Sequence, residues 1–310
     1  MKRLPLISYH GGHSGDFCDH ASGSKEQMLL AYLNAGYSYI AITEHMPPIN
    51  DLFLYLEEIN KNHSSDFLKQ RFGVLFNDTR QILKDKFKDK FLDCRFGFET
   101  EFCSSSEYPN PIDWIVENIR NSNPDIVVAS VHHVNNIPID YDSTSYQKAI
   151  SHVGDLENLY CAYYDSQYEL IKAMSPYANK FPVVLGHMDV IRLLSRDSLD
   201  QKNTESVWTR IKRNIKAAKD SDIIVEVNSR ALKKGLFSPY PSKEILMEIK
   251  TQGGLITISD DSHSINDIGA LHKETIGYIS TVFDAVTAFV EDGSKGFKFV
   301  KIPIGDVSSL

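Results

Sequence analysis

Three imidazoles fall within eleven residues near the start of the chain, in Tyr9-His10-Gly11-Gly12-His13 and on through Asp16, Cys18 and Asp19 to His20, directly after the apolar run Leu4 to Ser8. Imidazole is the commonest protein ligand for a transition metal, and a strand end fixes the direction in which it points. The two glycines allow a turn tight enough for the His10 and His13 rings to face one point. The theme recurs along the chain: Glu44-His45, Glu99 with Glu101, His132-His133, His187 with Asp189, Glu226 with Asn228, and Asp261 with His263 each close an apolar run. His10, His13, His20, His45, His132, His187 and His263 make up most of the 11 histidines, and chance placement is a poor account of that. Together with Glu99 and Asp261 they exceed the three or four protein ligands of one catalytic zinc, so two or three divalent ions are expected. Nitrogen and oxygen donors suit Zn, Mn or Fe without selecting among them. Such cations activate water at neutral pH and clamp phosphoryl oxygens, which makes phosphoester hydrolysis the chemistry this donor set fits.

The elements that must position these residues read as alternating strands and helices. Apolar runs predict strands at Leu4–Ser8, Tyr37–Thr43, Phe91–Phe98, Asp125–Val131, Phe181–Leu185, Asp222–Val225 and Leu255–Ile258. Ser24-Lys25-Glu26-Gln27 is a capping box opening a helix that Gly36 ends. Asn50 to about Lys90 is helical in pattern, with Leu68, Phe72, Leu75, Phe76 and Leu83 on one face; Pro111 suits the first turn of the next helix. Tyr141 to Asn179 is also helical, its tyrosines (Tyr160, Tyr163, Tyr164, Tyr168) suited to packing with a hydrogen-bonded hydroxyl. Further helices are expected from Thr204 to Lys219, from Ser242, and from Thr281 to Glu291, before a last apolar stretch, Phe297 to Ile304. In an α/β barrel the C-terminal strand ends meet on one face, which would bring the ligands together. No composition break divides the chain, so residues 1–310 are expected to form a single domain.

The 310 residues are 42% hydrophobic, enough for a sizeable core. A net charge of −8 and a pI near 5.8 weigh against a nucleic-acid protein that grips phosphate backbones with clustered Lys and Arg. No apolar run approaches the roughly 18–20 residues that cross a bilayer, and no signal-peptide pattern follows the first residues, so a cytoplasmic protein is expected. Cys18, Cys94, Cys103 and Cys161 form no Cys-x-x-Cys pair and are expected as reduced, structural thiols, with Cys18 placed to pack against the histidine cluster.

As a set, Tyr9-His10…His13…Phe17-Cys18-Asp19-His20, Thr43-Glu44-His45-Met46-Pro47, Gly97-Phe98-Glu99, Ser130-Val131-His132, Gly186-His187-Met188-Asp189, Glu226-Val227-Asn228 and Asp261-Ser262-His263 resembles the polymerase-and-histidinol-phosphatase (PHP) metallohydrolases. Within that family the chain is most similar to the histidinol-phosphate phosphatases, in particular through Glu226 to Gly235 and Tyr240-Pro241. The resemblance implies a distorted seven-stranded (β/α) barrel, TIM-like and of the PHP type, with a trinuclear site. One ion would take His10, His13, Glu99 and Asp261, a second Glu99, His132 and His187, and a third His20, His45 and His263. Glu99, Asp261 and His263 would be the catalytic positions, and a metal-held hydroxide would attack phosphorus in line. The implied substrate is L-histidinol phosphate, with L-histidinol and phosphate as products in histidine biosynthesis. Arg192, Asn228, Ser229 and Arg230 are the candidate substrate contacts, because an Arg fork matches a phosphate. Glu101 and His133 are placed as supporting residues or bystanders. Two features depart from the family: the Gly11-Gly12 pair, where one residue is usual, and Glu44, where Asp is usual. A phosphoesterase for nucleotides or short oligonucleotides, and a metal-stabilised binding module without turnover, are the competing readings.

Overall fold

Seven parallel strands form the sheet that positions the site: β1 (Leu6–Gly11), β2 (Tyr37–His45), β3 (Asp93–Glu99), β4 (Ile126–Ala129), β5 (Val183–Leu185), β6 (Ile224–Asn228) and β7 (Ile256–Ser259), neighbours in that order. The computed structural model describes residues 6–196, 198–292 and 296–305. Ladder pairing runs from β1 to β7, and the ring is closed just past the strand ends, where Asp261 N donates to His10 O at 2.8 Å and His13 N to Ser262 O at 2.9 Å. Ser8 Oγ adds a 2.7 Å bond to Asp260. The result is a distorted seven-stranded barrel with helices around it, and all seven expected strands are present. Their boundaries shift by a few residues, and Leu4 lies outside the described residues.

The strands are buried on both faces, as crossover helices require, which explains why they read as nearly unbroken apolar runs. Register does the positioning. His45 on β2 stands opposite Glu99 on β3, and Glu99 opposite Val128 on β4, so ligands 54 residues apart emerge at one height. Gly97 makes that close pairing possible, since a Cβ there would meet Ile126 O at 1.8 Å.

The flanking helices include α1 (Lys25–Asn34), α2 (Ser65–Lys86), α3 (Pro111–Ser122), α4 (Ser143–Val153), α5 (Leu156–Met174), α6 (Glu205–Asp220), α7 (Lys243–Gln252) and α8 (His272–Ser280). The Ser24/Gln27 capping box is formed as expected. On α5, Tyr163 donates to Met188 O, Tyr164 to Gln201, and the Tyr160 hydroxyl bonds Ser195. These rings therefore pack and satisfy their hydroxyls, as the sequence suggested.

Two expected elements differ. The helical pattern from Asn50 is broken into a single 3-10 turn, a five-residue helix (Leu56–Asn60) and α2, with Asn62 in the left-handed region at the break. The expected helix at Thr281–Glu291 is a strand instead, β8 (Ala285–Glu291), paired antiparallel with β9 (Phe297–Pro303). Val286, Thr287 and Val290 are β-branched and favour a strand, and the helix ends earlier, at Ser280. This hairpin packs on the barrel through Phe289, whose N–H donates to the Tyr9 hydroxyl. No helix among the described residues is long and apolar enough to cross a membrane.

Candidate metal centre

Glu99 is the hub. It is 1% exposed, its Oε1 lies 2.9 Å from His187 Nε2 and 3.1 Å from His132 Nε2, and its Oε2 lies 3.2 Å from His45 Nδ1 and 3.3 Å from His10 Nε2. One carboxylate therefore faces donors from four other strand ends, through both of its oxygens. His13 Nε2 stands 3.4 Å from both His10 Nε2 and Asp261 Oδ1, and His263 Nδ1 is 3.4 Å from the same Asp261 oxygen. The His20 ring centre lies 5.1 Å from that of His45 and 5.2 Å from that of His263. All nine ligand positions expected from the sequence converge on one mouth.

Their grouping is close to the implied one and not identical to it. Donor atoms within ligating distance of a shared ion group as His10 with His13 and Asp261, His10 with Glu99 and His187, and His13 with His45 and His263. His20 groups with His45 and Cys18, whose Sγ is 3.1 Å from His20 Nδ1, so the thiol does pack on the cluster. Gly11-Gly12 does not spoil the pairing of His10 and His13. Gly12 takes φ +73 and has Ile42 Cδ1 where a Cβ would sit, at 2.2 Å, so the extra residue is folded away under β2.

The residues present fit cations. Two imidazole nitrogens, His13 Nε2 and His10 Nε2, face each other within ligating distance, and buried His13 Nδ1, His45 Nε2 and His187 Nδ1 have no hydrogen-bond partner among the described residues. Groups so placed are costly unless something else satisfies them. Burial, helped by neighbouring imidazoles, pushes His13 down to about 4 and His20 down to about 2, and drives His263 well below its ordinary value. These rings are neutral at pH 7, the state in which a ring nitrogen binds a metal. Burial would also lower His10, but the Glu226, Glu99 and Asp261 carboxylates outweigh it and hold His10 well above the ordinary range.

Supporting residues fix the tautomers. Glu226, fully buried, lies 3.1 Å from His10 Nδ1 and accepts His187 N–H at 2.6 Å, the Asn228 amide at 2.8 Å and the Ser259 hydroxyl. An ionised carboxylate only accepts, so His10 Nδ1 carries a proton, and a cation at Nε2 would take the place of the second proton that the surrounding carboxylates favour. Asp140 does the same for His132 Nδ1 at 2.9 Å. Such partners set ligand basicity, so Glu226→Gln is expected to weaken metal affinity about 10- to 100-fold with the fold retained. Competition with a chelator, followed beside circular dichroism, checks this. Glu44 acts differently: strand alternation turns it away from His45, and it accepts Ser14 N–H at 3.0 Å and Ser14 Oγ–H at 2.6 Å, bracing the loop that carries His13. Burial pushes its carboxyl up to about 8.

Of the four expected substrate contacts, the structure brings only one into the mouth. Arg230 lines it, its Nη1 bonding Asp261 O at 3.0 Å. Asn228 lies beneath the ligands, bonded to Glu226 and to Asp261. Ser229 is buried and its N–H donates to Ser259 O. Arg192 is displaced from the site: it is 1% exposed, pairs with Asp189 at 2.9 Å and donates to the carbonyls of Ser238 and Pro239. Tyr55, Glu57, Asp140, Tyr141, Lys234 and Tyr240 also line the mouth, a cavity of about 340 Å³. Sequence reasoning gave none of them a place in the site, because most sit on loops, and Glu57 on the five-residue helix Leu56–Asn60, without a pattern of their own.

A parallel (β/α) barrel whose strand ends converge as buried imidazoles and carboxylates is the architecture of a metal-dependent hydrolase. A family model described as PHP domain matches residues 10–230, and the chain belongs to that family. It is 33% identical over 296 residues to the probable histidinol-phosphatase of Schizosaccharomyces pombe, covering 94% of this chain and 92% of that one. The histidinol-phosphatase of Saccharomyces cerevisiae is 29% identical over 308 residues, 88% of each chain. In fold the chain is similar to the crystal structure of histidinol phosphate phosphatase from Lactococcus lactis, complexed with Zn, L-histidinol and phosphate. That match has a TM-score of 0.61 at 19% identity, covering 93% of this chain and 97% of that one.

Proposed function

We infer that this protein is a metal-dependent phosphomonoesterase that hydrolyses L-histidinol phosphate to L-histidinol and phosphate, as a step of histidine biosynthesis. The observation that carries this is the Glu99-centred cluster at the mouth of a PHP barrel whose curated relatives, similar over most of their length, are named histidinol-phosphatases. His10, His13, His20, His45, Glu99, His132, His187, Asp261 and His263 would hold two or three divalent ions, Zn, Mn or Fe. When bound, the ions supply charge neutralisation of the phosphoryl oxygens and a water acidic enough to react at neutral pH.

The chain's own residues do the rest. Arg230 and the exposed Lys234, both at the rim, attract the phosphate dianion and orient it toward the cluster. Glu57 and Asp140 give the mouth negative charge and Tyr55, Tyr141 and Tyr240 give it ring faces, matching an ammonium and an imidazole on the same small molecule. Glu226 and Asp140 hold the protons of His10 and His132 away from the ions. A cytoplasmic setting suits four cysteines that are all free.

The reading is tested on purified protein by phosphate release. Histidinol phosphate is expected to be turned over with a kcat/KM at least about tenfold above p-nitrophenyl phosphate or nucleoside monophosphates, a difference of about 1.4 kcal/mol in transition-state binding. Chelation should abolish turnover and added Mn or Zn restore it. Faster cleavage of nucleotides would move the substrate assignment and keep the metallohydrolase; indifference to chelator would remove both.

A further inference from the structure

Glu101, Cys103 and His133 are not among the nine ligand positions but border them, Glu101 Oε1 lying 3.8 Å from His45 Nδ1. Glu101 and Cys103 follow Glu99 at alternate positions and His133 follows His132, and all three are buried, at 9%, 3% and 9% exposure. Their donor atoms lie within 4.8 Å of one another. Glu101 Oε2 and His133 Nδ1 face each other at 3.5 Å, yet neither makes a hydrogen bond among the described residues. The Tyr55 hydroxyl donates to the other Glu101 oxygen at 3.2 Å, which fixes the carboxylate without satisfying Oε2. The three residues line a second cavity of about 340 Å³ that also reaches His20, His45 and His132 and is elsewhere mostly apolar, with Phe53, Phe72 and Trp114 in its wall.

We propose that Glu101, Cys103 and His133 form a further zinc site, beside the strand-end cluster and sharing none of its nine ligand positions, open on its fourth side to the apolar cavity. A carboxylate, a thiol and an imidazole are three donors of the kind zinc takes at a site with one open position. Tetrahedral donors about 2.0–2.3 Å from one ion stand about 3.5 Å apart, so donors already within 4.8 Å of one another need only a small approach to share it. A plain Glu101–His133 ion pair is the simpler account, but it explains two of the three donors and leaves their poor alignment unexplained. The thiol sets the preference: a soft sulfur favours zinc over Mn or Mg, so this site discriminates where the nitrogen and oxygen cluster does not. On binding, Cys103 gives its proton to solvent and the thiolate ligates, so uptake releases one proton.

The test uses the full chain loaded with Co²⁺ for spectroscopy and with Zn²⁺ for stoichiometry. A thiolate-to-cobalt charge-transfer band in the near ultraviolet is expected in the parent protein, lost in Cys103→Ser and kept in Cys18→Ser. Zinc content should fall by one equivalent in Cys103→Ser and in His133→Gln, with the remaining equivalents intact. No band in the parent, a band that survives Cys103→Ser or vanishes only in Cys18→Ser, or unchanged zinc content overturns the proposal. If Cys103→Ser fails to fold, His133→Gln still gives the stoichiometric answer. Neither readout uses turnover, so the outcome is separate from that of the assigned reaction.

Discussion

Glu99→Gln is expected to lower turnover of histidinol phosphate by on the order of 10³-fold or more, with the barrel still folded. The amide keeps the size of the carboxylate but loses its charge and one of its two acceptor oxygens. In this structure one oxygen faces His132 and His187 and the other faces His10, His45 and, at 3.8 Å, His13. One change therefore disturbs several candidate ligands at once. The other cluster carboxylate, Asp261, approaches fewer imidazoles: His10, His13 and His263. The neighbouring imidazoles, chiefly His10 and His132, overcome the effect of burial and hold the Glu99 carboxyl well below the usual range, so it is ionised. Elemental analysis beside steady-state kinetics should show at least one ion lost. Full metal content with undiminished kcat would remove Glu99 from the centre.

The architecture of this site was legible because its chemistry sits on regular elements. A strand that ends in His or Glu states in one dimension where the side chain will be in three, since parallel strands of a closed sheet share a rim. His45 and Glu99 are register partners, and that juxtaposition follows from strand ends alone. Loops carry no such periodicity. Asp140 and Tyr55 therefore went unread, although Asp140 fixes the His132 tautomer and Tyr55 lies between the two cavities. A sequence cue for Asp140 did exist, an acidic residue eight positions after a ligand, but only the turn that folds Ile139 back onto His132 O gives it meaning. The C-terminal hairpin was misread because apolar residues at Val282, Phe283, Val286, Phe289 and Val290 satisfy a helical spacing, and β-branching had to break the tie. Glu44 shows the reverse case: it is adjacent to a ligand in sequence and faces away from it in space.

Arg192 and Arg230 separate the two meanings of a buried-looking arginine near a strand end, and their alanine variants are expected to fail in opposite ways. Arg192 links Asp189, at the β5 exit, to the carbonyls of Ser238 and Pro239, and its guanidinium lies over the Tyr240 ring at 5.1 Å. That loop in turn pairs Tyr240 with Asn228 through two backbone hydrogen bonds of 2.7 and 3.0 Å. Arg192→Ala deprives buried Asp189 of its guanidinium, a loss of about 3–5 kcal/mol for a buried pair broken on one side. For a chain of this size that is a fall in Tm of roughly 5–8 °C. Arg192→Lys should rescue little of it, because one ammonium cannot span the carboxylate and two carbonyls in the planar fork. Arg230→Ala should instead leave Tm within a few degrees, as its ion pair with Asp267 at 3.5 Å is partly exposed. Its cost falls on the substrate: with the rim guanidinium gone, KM for histidinol phosphate is expected to rise about 10- to 100-fold. Thermal melts and initial rates on the two variants, the latter taken well below either Tm, decide the matter. A stable Arg192→Ala with a raised KM would return that residue to the phosphate, and would mean that the loop from Ser238 to Tyr240 opens when substrate binds.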